Sequence, residues 1–246
     1  MLRFAFLAAL CASAANASAV TGLPPRLILV GDSTMATRTG YGDALCARFT
    51  SDVACVNLAR GGRSTGSYRA EGLWDKVQEQ LRDGAAYSAT YVLIQFGHND
   101  QPGKPGRSTD LVTQYPANLA RYVAETRALG AVPILVTPLT RRSFRGPWLH
   151  DDLAPWSATV RAIAQGHGVG LLDLNRHSVA AVQAMGTAEA DTLAQEPPPK
   201  GEWPDGTKNA FDYTHLGPKG AGIFSAMVKD GLVRLQPKLA ASLKQP

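Results

Sequence analysis

Short, continuously apolar runs alternate with amphipathic stretches along most of this chain, and the alternation predicts its architecture. Residues 26–30, 53–58, 91–96, 132–137 and 169–174 are the apolar runs. They do not alternate polar with apolar, as half-exposed strands would; unbroken runs of this length suit strands buried on both faces, as in a parallel sheet. Between them, residues 41–50, 73–82, 113–129 and 154–166 read as helices, and 218–233 supplies a last one. Strand–helix alternation implies right-handed crossovers, with helices on both sides of the sheet. The expected class is α/β: a three-layer α/β/α sandwich on a five-stranded parallel sheet.

One stretch breaks the scheme. From about Gly186 to Asn209 the chain passes through Pro197, Pro198, Pro199, Gly201, Pro204 and Gly206. A connection this long tends to be functional or mobile. It leads directly into Phe211-Asp212-Tyr213-Thr214-His215, so it is expected to shape one wall of a cleft. No internal repeat and no second-domain boundary is visible, and residues 20–246 read as one domain.

The first 19 residues follow a different grammar. Arg3 makes a basic start, residues 4–12 are apolar, and Ala17-Ser18-Ala19 is a small-x-small cleavage site. This pattern predicts a secretory signal peptide, with an apolar stretch too short for a membrane span. Cys11 follows Leu10, a large residue where lipid attachment needs a small one. The expected mature protein is secreted or periplasmic, with no membrane attachment, and monomeric.

Composition narrows the classes further. With 45% hydrophobic and 18% charged residues among 246, the chain is an ordinary globular protein. It is long enough to bury a core without staples. Losing Arg3 with the leader takes the formal charge from +5 to +4. That balance suits an acidic polymer, but there is no dense Lys/Arg tract of the kind that binds nucleic acid. Cys46 and Cys55 remain after export, and sequence spacing leaves a disulfide and two buried thiols equally open. Without CxxC spacing they do not suggest a zinc site.

The polar motifs fall where an open parallel sheet binds ligands, beyond the carboxyl ends of its strands. Gly31-Asp32-Ser33-Thr34 ends the first strand, Gly61-Gly62-Arg63-Ser64 follows the second, and Gly97-His98-Asn99-Asp100 follows the third. Ser33 is a candidate nucleophile, although an N-capping serine is common at such turns. A serine hydroxyl needs a base, and His215 is the histidine with a carboxylate, Asp212, three residues before it on a non-helical turn. Gly62 can present a backbone N–H and Asn99 a side-chain amide to a developing oxyanion.

Taken together, the blocks Gly-Asp-Ser-Thr (31–34), Gly-Gly-Arg-Ser (61–64), Gly-His-Asn-Asp (97–100) and Asp-Tyr-Thr-His (212–215) resemble the four blocks of SGNH, or GDSL-type, hydrolases. The wording is more narrowly similar to rhamnogalacturonan acetylesterases, carbohydrate esterase family 12. The resemblance implies a flavodoxin-like fold, Ser33 as nucleophile, His215 as base and Asp212 as its orienting partner. It also implies an oxyanion hole of the Ser33 and Gly62 amides with the Asn99 side chain, and no metal or organic cofactor. Gly66 departs from the family pattern, where a larger basic residue is usual.

An acetylated, anionic polysaccharide is the expected partner. Arg63, His98 and Arg141 are the candidate substrate contacts, with Arg69, Arg142 and Arg145 near the same edge and Trp148, Trp156 and Trp203 as possible sugar platforms. The rival expectations are another SGNH acyl esterase or lipase-like hydrolase, and a non-catalytic carbohydrate-binding protein.

Overall fold

The computed structural model describes residues 22–197 and 211–245. Strands β1 (Arg26–Gly31), β2 (Ala54–Asn57), β3 (Thr90–Gln95), β4 (Val132–Val136) and β7 (Gly170–Leu172) form a parallel sheet in the order β2-β1-β3-β4-β7. A two-stranded antiparallel hairpin, β5 (Phe144–Arg145) and β6 (Trp148–Leu149), follows β4. The helices are α1 (Gly42–Cys46), α2 (Ser67–Ala70), α3 (Leu73–Arg82), α4 (Gln114–Ala128), α5 (Ala154–Gly166), α6 (Leu174–Asp191) and α7 (Pro218–Leu235). None of them is long and apolar enough to cross a membrane.

Two apolar clusters explain the unbroken apolar runs within the central strands. Leu27, Leu29 and Leu93 pack on one face with Leu45 of α1, Val182 of α6, and Phe224 and Val228 of α7. Ile28, Val30, Val92 and Ile94 pack on the other with Trp74 and Val77 of α3, Leu119 and Val123 of α4, and Val160 of α5. Successive side chains point to opposite faces of a strand, and here both faces are covered. The edge strand β2 is only partly buried along its length.

The order of strands reverses at β1: the chain adds β2 on one side, then β3 on the other. The loops leaving β1 and β3 therefore diverge and open a crevice at their carboxyl ends, the switch point where such sheets bind ligands.

One helix was not anticipated, and the start of the irregular stretch needs correction. The chain beyond β7 is helical: α6 begins at Leu174, where the Asp173 carboxylate accepts from Arg176 N–H. At Gly186, φ +72, the helix kinks, but helical structure resumes and runs to Asp191. The irregular connection therefore starts several residues later than its glycine suggested. Residues 198–210, including Trp203 and most of the proline-rich stretch, lie outside the described residues, as do residues 1–21 with the expected leader.

Cys46 at the end of α1 and Cys55 in β2 are disulfide-bonded, with their Cα atoms 5.4 Å apart. Closing so short a loop is worth about 2–3 kcal/mol by chain entropy. The double substitution Cys46→Ser, Cys55→Ser is expected to lower the urea unfolding free energy by that amount. A loss below about 0.5 kcal/mol would mean that packing of α1 already closes the loop.

Candidate active site

Ser33 stands on a single helical turn just past β1, held by Met35 and Ala36 amides donating to Asp32 O. The next regular helix, α1, begins at Gly42. Beneath Ser33, Asp32 is fully buried. Its Oδ1 accepts from Thr34 N (2.9 Å) and Thr34 Oγ1 (2.8 Å), and its Oδ2 lies 3.3 Å from His98 Nδ1. Thr34 Oγ1 accepts in turn from Gln95 Nε2, whose Oε1 accepts from Tyr41 Oη. Burial would raise the Asp32 pKa, but His98 and the two Thr34 bonds outweigh it and hold the carboxyl below its ordinary value.

The loop after β2 needs glycine at Gly62, where φ is +78. Arg63 folds back over that loop, donating to Gly61 O (2.7 Å) and pairing with Glu71 (2.8 Å). Asn99 arrives from the β3 loop and donates Nδ2–H to Arg63 O at 3.1 Å, which leaves its second amide hydrogen uncommitted. The Ser33 and Gly62 N–H groups have no acceptor among the described residues. Three uncommitted N–H donors thus lie on the adjoining loops of one crevice.

Asp100, next to Asn99, ties these loops together. Its Oδ1 accepts from Thr65 N (3.0 Å), Thr65 Oγ1 (2.5 Å) and Thr109 Oγ1 (2.9 Å). Burial nevertheless lifts its pKa to about 6, since the bonds from Thr65 and Thr109 only partly offset desolvation and the Asp32 charge adds to the rise.

The fourth motif carries an acid–base pair. His215 Nδ1 is 2.7 Å from Asp212 Oδ2, and Asp212 Oδ1 accepts from the backbone amides of Thr214 and His215, both at 2.9 Å. Partial burial would raise the Asp212 pKa; the His215 and Thr214 hydrogen bonds reverse the sign and lower it. With Nδ1–H directed at Asp212, Nε2 is left as the acceptor.

This loop is tied to the Ser33 turn through Thr39, which donates Oγ1–H to Ser33 O (2.8 Å) and accepts from Leu216 N at its carbonyl (2.9 Å). Ser33 Oγ has no hydrogen bond among the described residues, His215 included. Catalytic hydrogen bonds are often longer without substrate and tighten in the complex.

A residue grouped with the surface arginines in sequence turns out to hold the acid–base loop. Arg142 is fully buried; its N–H donates to Tyr213 O (2.9 Å), and its Nη2 to the carbonyls of Asp212 (2.5 Å) and His215 (3.0 Å). No carboxylate pairs with it among the described residues, and burial lowers its pKa against the pull of Asp212 and Asp191. Sequence offered no sign of this beyond its place after β4.

The other expected substrate contacts also have internal partners. Arg141 binds Asp152 (2.5 Å) and Thr214 Oγ1 (3.2 Å), and Arg69 pairs with Glu125 beside the Trp74 and Tyr122 rings. His98 was expected to touch substrate but is only 2% exposed, and it braces Asp32 instead. Trp156 is core, whereas Trp148 is 70% exposed on the hairpin, and Arg145 is exposed there too. Lys104 donates to His98 O; desolvation, then the Arg141 and Arg107 charges, lower its pKa. Among the described residues no three His, Cys, Asp or Glu side chains are grouped to hold a metal ion.

Residues 29–223 match the GDSL-like lipase/acylhydrolase family. The chain is 31% identical to the rhamnogalacturonan acetylesterase RhgT of Bacillus subtilis, over 86% of this chain and 91% of that protein. It is 27% identical to the probable rhamnogalacturonan acetylesterase YesY of the same organism, over 88% and 96%. An acetylxylan esterase from Geobacillus stearothermophilus has a similar fold, with a TM-score of 0.60 at 18% identity, covering 87% of this chain and 94% of that one.

Replacing Arg142 by Met removes the side-chain donors to Asp212 O and His215 O while keeping most of the buried volume. Because misplacing a reacting group by an ångström can cost about 100-fold in rate, Arg142→Met is expected to lower kcat on p-nitrophenyl acetate by that order, with KM little changed. A kcat within threefold of the parent would remove Arg142 from this role.

Proposed function

The chain belongs to the GDSL-like lipase/acylhydrolase family, a carboxylic ester hydrolase, and within it we propose an exported serine acetylesterase that removes O-acetyl groups from a pectic polysaccharide. The observation that carries the chemistry is the Asp212–His215 pair at 2.7 Å, on a loop bonded through Thr39 to the turn bearing Ser33. The substrate assignment draws on the named activity of RhgT and on the cationic side chains near the crevice. Export draws on residues 1–19 alone.

In the proposed cycle Ser33 Oγ attacks the acetyl carbonyl as His215 Nε2 takes its proton. The Ser33 and Gly62 amides and Asn99 Nδ2 receive the charge on the carbonyl oxygen. Collapse of this intermediate breaks the bond to the sugar oxygen, which takes the proton from His215. Water then attacks the acetyl-serine and gives a proton to His215, acetate leaves, and the proton returns to Ser33. Asp212 fixes the imidazole tautomer and stabilises the cation formed in each half-reaction.

Asn99 tests the oxyanion assignment. Loss of one such donor costs about 10²–10³ in kcat, so Asn99→Ala is expected to fall in that range, and a loss under tenfold would remove the side chain from the hole. Asp212→Ala is expected to be milder than Ser33→Ala, because an orienting group contributes less than the nucleophile.

The substrate is tested by acetate release from acetylated pectin and acetylated xylan, with Ser33→Ala as the control. Preference for pectin is expected, along with a sharp fall on p-nitrophenyl esters longer than acetate. Equal rates, or a preference for xylan, would defeat the pectic reading.

A further inference from the structure

Beside the oxyanion donors lies a groove that no step of this chemistry uses. It has a volume of about 500 Å³, within the usual range for small-molecule sites. It runs between the loop that follows Gly62 and the start of α4, with Ser67, Thr109, Gln114, Ala117 and Asn118 in its walls. Arg107 stands where the groove meets the crevice: its Nη1 is 3.4 Å from Asn99 Oδ1 and 3.5 Å from where a Cβ would sit on Gly62. We infer that this groove is a subsite for a hexuronate residue flanking the acetylated sugar, with Arg107 as the anchor for its carboxylate. The inference rests on the polysaccharide reading above and adds to it a location and a recognition chemistry.

Arg107 differs from its neighbours in charge balance. Arg63, Arg69 and Arg141 each lie within 2.8 Å of a carboxylate oxygen. Arg107 is exposed and has no carboxylate within 4.0 Å among the described residues. A guanidinium with an open edge presents two parallel N–H donors, the geometry that matches a carboxylate.

The walls supply complementary polar groups. Gln114 Oε1 accepts from Asp110 N (2.9 Å), leaving its amide hydrogens for an acceptor. Asn118 Nδ2 donates to Thr65 Oγ1 (3.1 Å), leaving its oxygen for a donor. Sugar hydroxyls serve as both. Gly66 has no side chain to fill the space, although the nearest groups to a Cβ there, Thr109 Cγ2 and Asn118 Nδ2, are 3.4 and 3.8 Å away.

The test separates binding from turnover. Full-length Ser33→Ala protein is titrated with a deacetylated oligogalacturonate and with an uncharged xylo-oligosaccharide of equal length. The oligogalacturonate is expected to bind more tightly. Adding Arg107→Gln, or the groove-filling Ala117→Trp on the exposed face of α4, is expected to weaken it at least about tenfold, as for one lost charge-assisted contact. Arg107→Lys should recover part of the loss, and Arg107→Gln should leave xylo-oligosaccharide affinity within about twofold. Unchanged oligogalacturonate affinity in either groove variant overturns the inference, as does absence of binding. Acetate release by the parent enzyme is read separately: its failure on acetylated pectin, with Arg107-dependent binding intact, defeats the deacetylase reading and supports the groove.

Discussion

A buried guanidinium is the constraint on which the geometry of this site depends. Arg142 has no solvent access, and its visible compensation is a set of backbone carbonyls contributed by the loop from Asp212 to His215. Taking a cation out of water costs several kcal/mol, so each carbonyl turned toward it is held there strongly. Hydrogen bonds to charged groups are worth about 1.5–3 kcal/mol each. The loop has no regular secondary structure of its own to fix it; Arg142 gives it a defined position past the end of β4.

The nucleophile side is organised by carboxylates instead. Asp32 and Asp100 are both buried at the end of the sheet, yet their pKa values move in opposite directions. Desolvation disfavours the anion at both. Asp32 has an imidazole beside it as well as two Thr34 donors, and these win; Asp100 has only neutral donors on one oxygen, while its Oδ2 is left without a partner. The Asp32 charge adds to the rise at Asp100. Through Thr65 and Thr109, Asp100 clamps the loops after β2 and β3 to each other.

The same accounting sorts the basic residues. Several arginines that cluster near the carboxyl edge in sequence are internal braces, tied to Glu71, Glu125, Asp152 or the carbonyls of the acid–base loop. A paired guanidinium has little left to offer a substrate. Arg107 is exposed on the loop after β3 and has no carboxylate partner among the described residues. Trp148, exposed on the hairpin, is the large aromatic left free in the described region.

The sequence by itself determined the sheet and most of its helices. Apolar runs between 26 and 174 marked the five strands of the parallel sheet, because buried parallel strands must be apolar on both faces, but not the partly exposed β5–β6 hairpin. The α6 helix escaped because its buried positions, such as Asn175 and Ser178, are polar and Gly186 interrupts it. The four motifs marked Ser33, Gly62, Asn99, Asp212 and His215 because that chemistry needs particular functional groups in short, local contexts.

Tertiary structure alone decided how the arginines divide and which loops clamp which. It also decided that Cys46 meets Cys55 and that a groove opens beside Arg107. These depend on which distant groups a side chain meets: composition records that an arginine is present, but only the folded chain decides whether a carboxylate, a carbonyl or open solvent faces it.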